Sequence, residues 1–144
     1  MYILVDTNVF IDLILNRGKD AKIADLFFSN VYSEKSKIFI SPMSLRDIEY
    51  TVGRLTHNKK AGKDAMLIAY EMCHKMIDFS RSDAIEALTS EIDDYEDAIL
   101  VEAAKREMLD VIVTNNSKDF KKADIPVWTP AYFNEVIAKE KANQ

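Results

Sequence analysis

The stretch Tyr2-Ile3-Leu4-Val5-Asp6-Thr7-Asn8 decides the fold that this sequence predicts. Four apolar residues run directly into Asp6, and an apolar pattern with helical spacing begins at Val9. A continuous apolar run of this length is typical of a buried strand in a parallel sheet. Such a strand presents its last side chain at the carboxyl edge of the sheet, where open α/β folds bind ligands. Asp6 therefore either caps the following helix or belongs to a polar site at that edge.

The rest of the chain alternates short strands with helices. Apolar runs predict further strands at 37–41, 76–79, 111–114 and 125–128. Helical spacing predicts helices over 9–15, 20–32, 45–57, 65–76 and 95–108, one capped by Ser82, and a terminal one from Pro130. We expect Ser44 to cap the 45–57 helix and residues 58–63 to form a polar connection. This alternation predicts an α/β fold with a central, mainly parallel sheet and helices on both faces.

Length and composition indicate an ordinary globular protein. The 144 residues correspond to a single domain over residues 1–144, of which 48% are hydrophobic and 30% charged. Cys73 is the one cysteine, so an intramolecular disulfide is excluded. No apolar stretch approaches the roughly 20 residues of a membrane span, and the first residues lack the basic segment of a signal peptide. We expect a cytoplasmic protein without membrane contact.

Charge is distributed unevenly along the chain, although the net charge is only −5. Residues 46–63 carry five cations against two acids. Residues 83–102 carry eight acids and no lysine or arginine. Part of this acidic segment is explained as a solvated helix face. Eight acids without a counter-charge also suggest a bound cation, and the basic segment suggests a phosphate backbone beside it.

Five acids stand where strands end or helices begin in the predicted fold. They are Asp6, Asp47, Asp94, Asp97 and Asp119. In a parallel sheet these positions converge on one edge, where the carboxylates raise one another's pKa unless a hard divalent cation lies among them. Ligation by oxygen alone selects Mg²⁺ or Mn²⁺ over zinc, and His57 and His74 are poorly spaced for a zinc site.

Each acid has a simpler explanation when it is taken alone. A carboxylate at a helix N-terminus caps the helix and offsets its dipole, which stabilises by roughly 0.3–1 kcal/mol. For Asp47 and Asp94 this explanation is the stronger one. It explains less well why every element at the sheet edge carries an acid. A metal-bound carboxylate cluster, in contrast, activates water and stabilises charge on phosphoryl oxygens, which is the chemistry of phosphodiester hydrolysis.

Four segments carry a resemblance to a known family. They are Leu4-Val5-Asp6-Thr7-Asn8-Val9, Ile40-Ser41-Pro42-Met43-Ser44-Leu45-Arg46-Asp47, Asp94-Tyr95-Glu96-Asp97-Ala98 and Ile112-Val113-Thr114-Asn115-Asn116-Ser117-Lys118-Asp119-Phe120. In this order they resemble the PIN domain, the fold of VapC-type toxins and related metal-dependent ribonucleases. The resemblance covers nearly the whole chain, and it implies a three-layer fold with a mainly parallel central sheet.

The resemblance implies roles for the acids. Asp6 resembles the first metal-binding acid of the family, and Asp97 resembles the third. Asp94 is an accessory acid, as in one branch of the family. Asp47 stands where most members carry glutamate, so its shorter side chain either binds the metal directly or leaves a water between them. Asp119 resembles the fourth acid.

The resemblance also implies supporting residues. Thr7 and Asn8 would hold the Asp6 loop, and Thr114 resembles the family's hydroxyl at the end of strand four. Asn116 stands where some relatives place an acid, which leaves open whether Asn116 or Asp119 reaches the metal. Candidates for contacts to backbone phosphates, chosen by residue type and position, are Arg46, Arg54, Lys59, Lys60 and Lys118.

We therefore expect a Mg²⁺- or Mn²⁺-dependent endoribonuclease. The expected catalytic residues are Asp6, Asp47, Asp97 and Asp119, and the expected metal ligands are Asp6, Asp94, Asp97 and Asp119. The resemblance implies RNA as substrate, homodimerisation, and an antitoxin partner if the chain is a toxin. One alternative is a module of the same fold that binds RNA or protein without cleavage. A phosphatase is a second alternative, but it would require a second aspartate at the position of Asn8.

Overall fold

The computed structural model describes residues 1–144 and contains five strands and seven helices. The strands are β1 (Tyr2–Val5), β2 (Lys37–Ile40), β3 (Lys75–Met76), β4 (Val111–Val113) and β5 (Val127–Trp128). The helices are α1 (Thr7–Ile14), α2 (Gly18–Ser33), α3 (Pro42–Leu55), α4 (Lys59–Glu71), α5 (Arg81–Leu88), α6 (Tyr95–Arg106) and α7 (Pro130–Ala142). Every strand pair is parallel, in the order β3-β2-β1-β4-β5. The predicted α/β architecture is confirmed.

Two hydrophobic clusters lie on opposite faces of this sheet. Alternate residues of β1 point to opposite faces because the side-chain period of a strand is two. Ile3 and Val5 belong to a cluster with residues of α1, α2, α3, α4 and α7. Leu4 belongs to a second cluster with residues of α5 and α6. All three side chains are 0% exposed, which explains the uninterrupted apolar run in β1 and confirms helices on both faces.

The carboxyl ends of the central strands meet at one edge. Val5 of β1 is paired with Val113 of β4, and the Asp6 amide donates to the Val113 carbonyl oxygen at 2.9 Å. Asp6 and Thr114 therefore follow neighbouring strands at the same level. On the other side of β1, the next residue after β2 is Ser41, at the same edge. No helix is both long and apolar enough to cross a membrane.

Helix α3 begins earlier than the sequence predicted. The hydroxyl oxygen of Ser41 accepts the Ser44 amide at 3.0 Å, so Ser41 and not Ser44 is the N-cap. Pro42 then occupies the first helical turn, where its missing N–H has no cost. The prediction that Ser44 caps this helix was wrong. As a consequence, Asp47 lies in the second turn of α3 and not in the first, where it would cap the helix.

Helix α4 also begins earlier. The Asn58 side chain accepts the Ala61 amide at 3.2 Å, and the helix starts at Lys59, so the predicted polar connection over 58–63 was wrong. Helix α4 packs so closely on α3 at Gly62 that a Cβ there would collide with the carbonyl oxygen of Glu49. In a similar way Ser80, and not Ser82, caps α5. The first turns of α4 and α5 contain few apolar residues, so their helical spacing could not be recognised in the sequence and they were assigned to loops.

Candidate active site

Asp6 is held by the first residue of α1 and by the residue that follows β4. Its carboxylate accepts the Thr7 amide at 2.8 Å and the Thr114 hydroxyl at 2.8 Å. Burial raises the pKa of Asp6, the hydrogen bonds from Thr114 and Thr7 oppose this effect, and the charge of Asp47 adds to it. Asp6 therefore does cap α1, and it also lies in a site where negative charge is unfavourable.

Asp97 is a second acid with a raised pKa at this edge. It is half-buried in the first turn of α6, where its amide donates to Asp94 at 3.1 Å. Burial raises the pKa of Asp97 to about 7, with further contributions from the charges of Asp94, Asp6 and Asp119. No lysine or arginine forms an ion pair with Asp97. A carboxyl group of this kind binds either a proton or a cation near neutral pH.

The acids line two cavities that share Asp97. The smaller cavity, of about 30 Å³, has Asp6, Asp47, Glu96 and Asp97 in its wall. The larger cavity, of about 440 Å³, is lined by acidic and basic side chains and by Ile92. Its polar lining residues are Glu91, Asp93, Asp94, Asp97, Lys118, Asp119, Lys121 and Lys122. The structure thus places the other four predicted acids around Asp97.

The second turn of α3 brings Asp47 to the smaller cavity beside a cation. The Arg46 guanidinium contacts the Asp47 carboxylate at 3.0 Å. Glu96, which sequence reasoning did not select, lines the same cavity. Burial raises the pKa of Glu96, as do the charges of Asp47 and Asp94. Glu96 directly precedes Asp97 in the first turn of α6, and both residues line this cavity.

The loop after β4 is fixed from α1. The Asn115 amide donates to the Asn8 side chain at 3.2 Å, and the Asn115 side chain donates to Asp12 at 2.7 Å. Asp12 is only 7% exposed and also accepts Arg17 at 3.0 Å. Sequence reasoning missed Asp12 and Asn115. The signal for Asp12 was an acid in an otherwise apolar helix, four residues after Asn8.

This loop leads to Asn116 and Asp119, between which the sequence left the choice open. The Asn116 amide donates to the Thr114 hydroxyl at 3.1 Å. Asp119 lies in a 3₁₀ turn over Ser117–Phe120, lines the larger cavity and raises the pKa of Asp97. Of these two residues, Asp119 is therefore the one whose charge raises the pKa of Asp97.

The donor set suits a hard divalent cation. The side chains offer carboxylate and hydroxyl oxygens only, which is the chemistry that Mg²⁺ and Mn²⁺ select. Uncompensated carboxylates around Asp97 supply the negative charge. In this structure no three histidine, cysteine, aspartate or glutamate side chains lie in ligating geometry. The residues therefore fit such an ion by chemistry and location, and the ligating geometry would have to form on binding.

The predicted phosphate contacts separate into three groups. Arg46, Arg54 and Lys59 line a groove between α3 and α4. Lys118 lines the larger acidic cavity. Lys60 forms an ion pair with Asp64 at 2.9 Å and does not line the groove. The cations that sequence reasoning missed are Lys63 in the groove and Lys121 and Lys122 in the cavity.

Comparison with known proteins identifies the family. The family model of the PIN domain matches residues 2–118, and the chain belongs to this family. The resemblance inferred from the four motifs is thereby confirmed. No protein in a search of curated proteins matches the chain significantly.

Solved structures share the fold at low sequence identity. VapBC2 from Rickettsia felis, bound to a DNA fragment from its promoter, is 20% identical with a TM-score of 0.65, covering 90% of this chain and 98% of that one. FitAB bound to the IR36 DNA fragment is 18% identical with a TM-score of 0.71, covering 90% and 95%. FitAcB from Neisseria gonorrhoeae is 22% identical with a TM-score of 0.66, covering 89% and 97%.

Proposed function

We propose that this protein is a Mg²⁺- or Mn²⁺-dependent endoribonuclease. The observation that carries the proposal is the convergence of carboxylates on Asp97, whose pKa is raised to about 7 without a cation to offset the charge. Perturbed acids gathered in a cleft are typical of functional sites. Membership of the PIN domain family supports the same chemistry, because the resemblance implies metal-dependent cleavage of RNA.

The proposed roles follow from the positions of the side chains. Asp6, Asp94, Asp97 and Asp119 would hold the ion, with Asp47 binding it directly or through water. When bound, the ion activates water and offsets negative charge on the phosphoryl oxygens. Thr114 fixes the orientation of the Asp6 carboxylate through its hydroxyl, and Thr7 does so through its amide.

The charged groups around the acids would position the substrate. Lys118 lies in the same cavity wall as Asp119, where an ammonium group can bind a phosphate next to the scissile bond. Arg46 lies next to Asp47 on the opposite side. Cations on both sides of the carboxylates would hold the backbone of an RNA strand across the site, despite the net charge of −5.

We also propose a toxin role with an antitoxin protein as partner. Similarity of fold to VapBC2 and FitAB supports this role, together with the resemblance to VapC-type toxins. Homodimerisation and a cytoplasmic location belong to the same proposal. A direct test is co-expression with the product of an adjacent gene. The toxin role predicts a stable complex and suppression of the growth defect that this chain alone would cause.

The experiment that tests the nuclease function is cleavage of single-stranded RNA by the purified chain. We expect cleavage with Mg²⁺ or Mn²⁺, loss of cleavage with EDTA, and loss in Asp6→Asn with RNA binding retained. The Asn side chain keeps the shape of Asp6 but removes its charge. RNA binding without cleavage under either metal would favour the non-catalytic alternative. Equal cleavage by Asp6→Asn would place the activity outside this site.

A further inference from the structure

A groove runs between α3 and α4, next to the carboxylate site. Its volume is about 670 Å³, within the range of about 300–1,000 Å³ that is common for ligand pockets. It is lined by Arg46, Glu49, Tyr50, Gly53, Arg54, Lys59 and Lys63. Gly53 lies in the groove wall, and the two helices pack closely at Gly62, where a Cβ would collide with the Glu49 carbonyl oxygen.

The groove is the most basic part of the surface near the site. Four cations line it against a single acid, Glu49. Arg54, Lys59 and Lys63 are exposed and form no ion pair with any carboxylate of the chain. Unpaired cations in a concave surface attract an extended anion. Because the net charge of the chain is −5, this attraction is local to the groove.

Tyr50 lies among these cations with its ring available to a ligand. It is 65% exposed and follows Arg46 by one turn of α3, while Arg54 follows one turn later. An exposed aromatic ring between cations is the arrangement by which proteins bind single-stranded nucleic acid, with a base stacked on the ring and phosphates on the cations. An acidic polypeptide would use the cations but not the ring.

The groove also leads to the site. The Arg46 guanidinium lines the groove and contacts Asp47, which lies in the wall of the smaller acidic cavity. A strand bound along α3 would therefore reach the carboxylates without crossing another element. The Lys60 ammonium, in contrast, is paired with Asp64 and does not line the groove.

We propose that the α3–α4 groove binds a single-stranded segment of RNA that flanks the cleaved bond. A base stacks on Tyr50, and backbone phosphates contact Arg54, Lys59 and Lys63. The inference rests on the proposed nuclease function for the identity of the strand as RNA. It predicts a preference for single strands over duplexes, because the base faces in a duplex are already stacked on one another.

The test is binding of a fluorescein-labelled single-stranded oligouridylate of about 12 nucleotides to the full chain, a length within the site sizes known for single strands. Fluorescence anisotropy in EDTA measures binding without cleavage. We expect Tyr50→Ala to weaken binding about 5- to 100-fold and Tyr50→Phe to leave it nearly unchanged. We expect Lys59→Ala and Lys63→Ala each to reduce the slope of log K against log salt by about 0.7.

Two matched variants serve as controls on the same helix. Lys60→Ala removes the same charge outside the groove, and Tyr70→Ala removes an exposed ring from the far end of α4. Both should bind the oligonucleotide as the parent chain does. Equal loss of binding in Lys60→Ala and Lys63→Ala would overturn the proposal, since it would indicate a non-specific effect of net charge. Melting temperatures identify any variant that fails to fold.

Two further measurements separate this proposal from neighbouring ones. The first is competition with poly-glutamate. If poly-glutamate displaces the oligonucleotide and binds Tyr50→Ala as well as it binds the parent chain, the groove binds an acidic protein segment and the proposal is overturned. Cleavage with an unchanged kcat/KM in Tyr50→Ala and Lys63→Ala would also overturn it, while the proposed nuclease function stands. Loss of binding in these variants of a chain that never cleaves RNA would support the groove and contradict the nuclease function.

Discussion

The side-chain amide of Asn115 donates to the buried carboxylate of Asp12 at 2.7 Å. This bond joins the loop after β4 to α1, and Arg17 offsets the charge of Asp12 from the other side at 3.0 Å. The same loop carries Thr114, which orients Asp6, and continues to Asp119. A residue of the apolar helix α1 therefore sets the position of two acids of the proposed metal site.

Replacing Asp12 should loosen this loop. We expect Asp12→Ala to lower Mn²⁺ affinity and to reduce kcat for RNA cleavage, with a smaller effect on KM, because Lys118 lies in this loop but the cations of the α3–α4 groove do not. Asp12→Asn should recover part of the loss, since its side-chain oxygen can still accept from Asn115. Calorimetric Mn²⁺ titration and steady-state kinetics measure both effects. Unchanged Mn²⁺ affinity in Asp12→Ala would show that this contact serves stability alone.

Metal-free stability should depend on pH through Asp97. The pKa of Asp97 is raised from the ordinary aspartate value of 3.8 to about 7, so the folded state binds its proton more tightly than the unfolded state does. This contribution to stability is fully present below pH 3.8 and is lost as the pH rises through about 7. We expect Asp97→Asn to melt higher than the parent at pH 8 in EDTA by roughly 3 °C or more. At pH 3, below the unfolded-state pKa, the two should melt at similar temperatures.

Arg106 should be needed for stability but not for the site. Its guanidinium contacts Asp83 at 3.0 Å, and Asp83 is only 3% exposed. Burial acts to raise the pKa of Asp83, but hydrogen bonds from Arg106 and Ser80 outweigh it and hold the pKa below its usual value. We expect Arg106→Ala to lower the free energy of unfolding by roughly 3 kcal/mol, because it leaves a buried carboxylate unpaired.

The same pair predicts a dependence on pH. Because the folded-state pKa of Asp83 is lowered, its contribution to stability is present above the ordinary aspartate value of 3.8 and is lost as the pH falls through the folded-state value. Urea unfolding at pH 7 and pH 3 should show a smaller difference between parent and Arg106→Ala at the lower pH. An equal difference at both values would mean that the Asp83 contact is not the source of the stability.

Asp47 should act through water. The cavity beside it, of about 30 Å³, exceeds the roughly 10–15 Å³ that a cavity needs to hold one water. We expect Asp47→Glu to be tolerated and to bind Mn²⁺ at least as tightly, because the longer side chain replaces the water. Asp47→Ala should reduce cleavage at limiting Mg²⁺ without lowering the melting temperature. Cleavage by Asp47→Ala at the parent rate would leave Asp47 as a partner of Arg46 only.

Site residues that directly follow a strand could be predicted from the sequence. Site residues whose position depends on where a helix begins, or on which face of the helix they lie, were mispredicted. Asp6 and Thr114 were found because apolar runs end directly before them. Asp47 was assigned to the wrong turn because the start of α3 depends on a local cap, the Ser41 hydroxyl, that competes with another serine three residues later. Lys60 was selected in place of Lys63 because the face of a lysine on α4 follows from packing at Gly62.

Long-range polar contacts were beyond sequence reasoning for a different reason. Asp12 and Asn115 are separated by 103 residues, and their bond forms only because β1 and β4 are neighbours in the sheet. The raised pKa of Asp97 has the same origin, since it sums burial and charges from three segments of the chain. The order of the motifs identified the family. The Asp12–Asn115 hydrogen bond and the raised pKa of Asp97, however, depend on how distant segments pack in the folded chain.

The proposed metal site can be tested by calorimetric titration with Mn²⁺ at pH 7, in two buffers of different ionisation enthalpy. Because ligand carboxylates must be deprotonated and the pKa of Asp97 is about 7, binding should release about half a proton from this residue. We expect the parent chain to bind Mn²⁺ with this proton release, and we expect Asp6→Asn to lose Mn²⁺ binding. Equal binding by the parent and Asp6→Asn would contradict a metal centre built on these carboxylates.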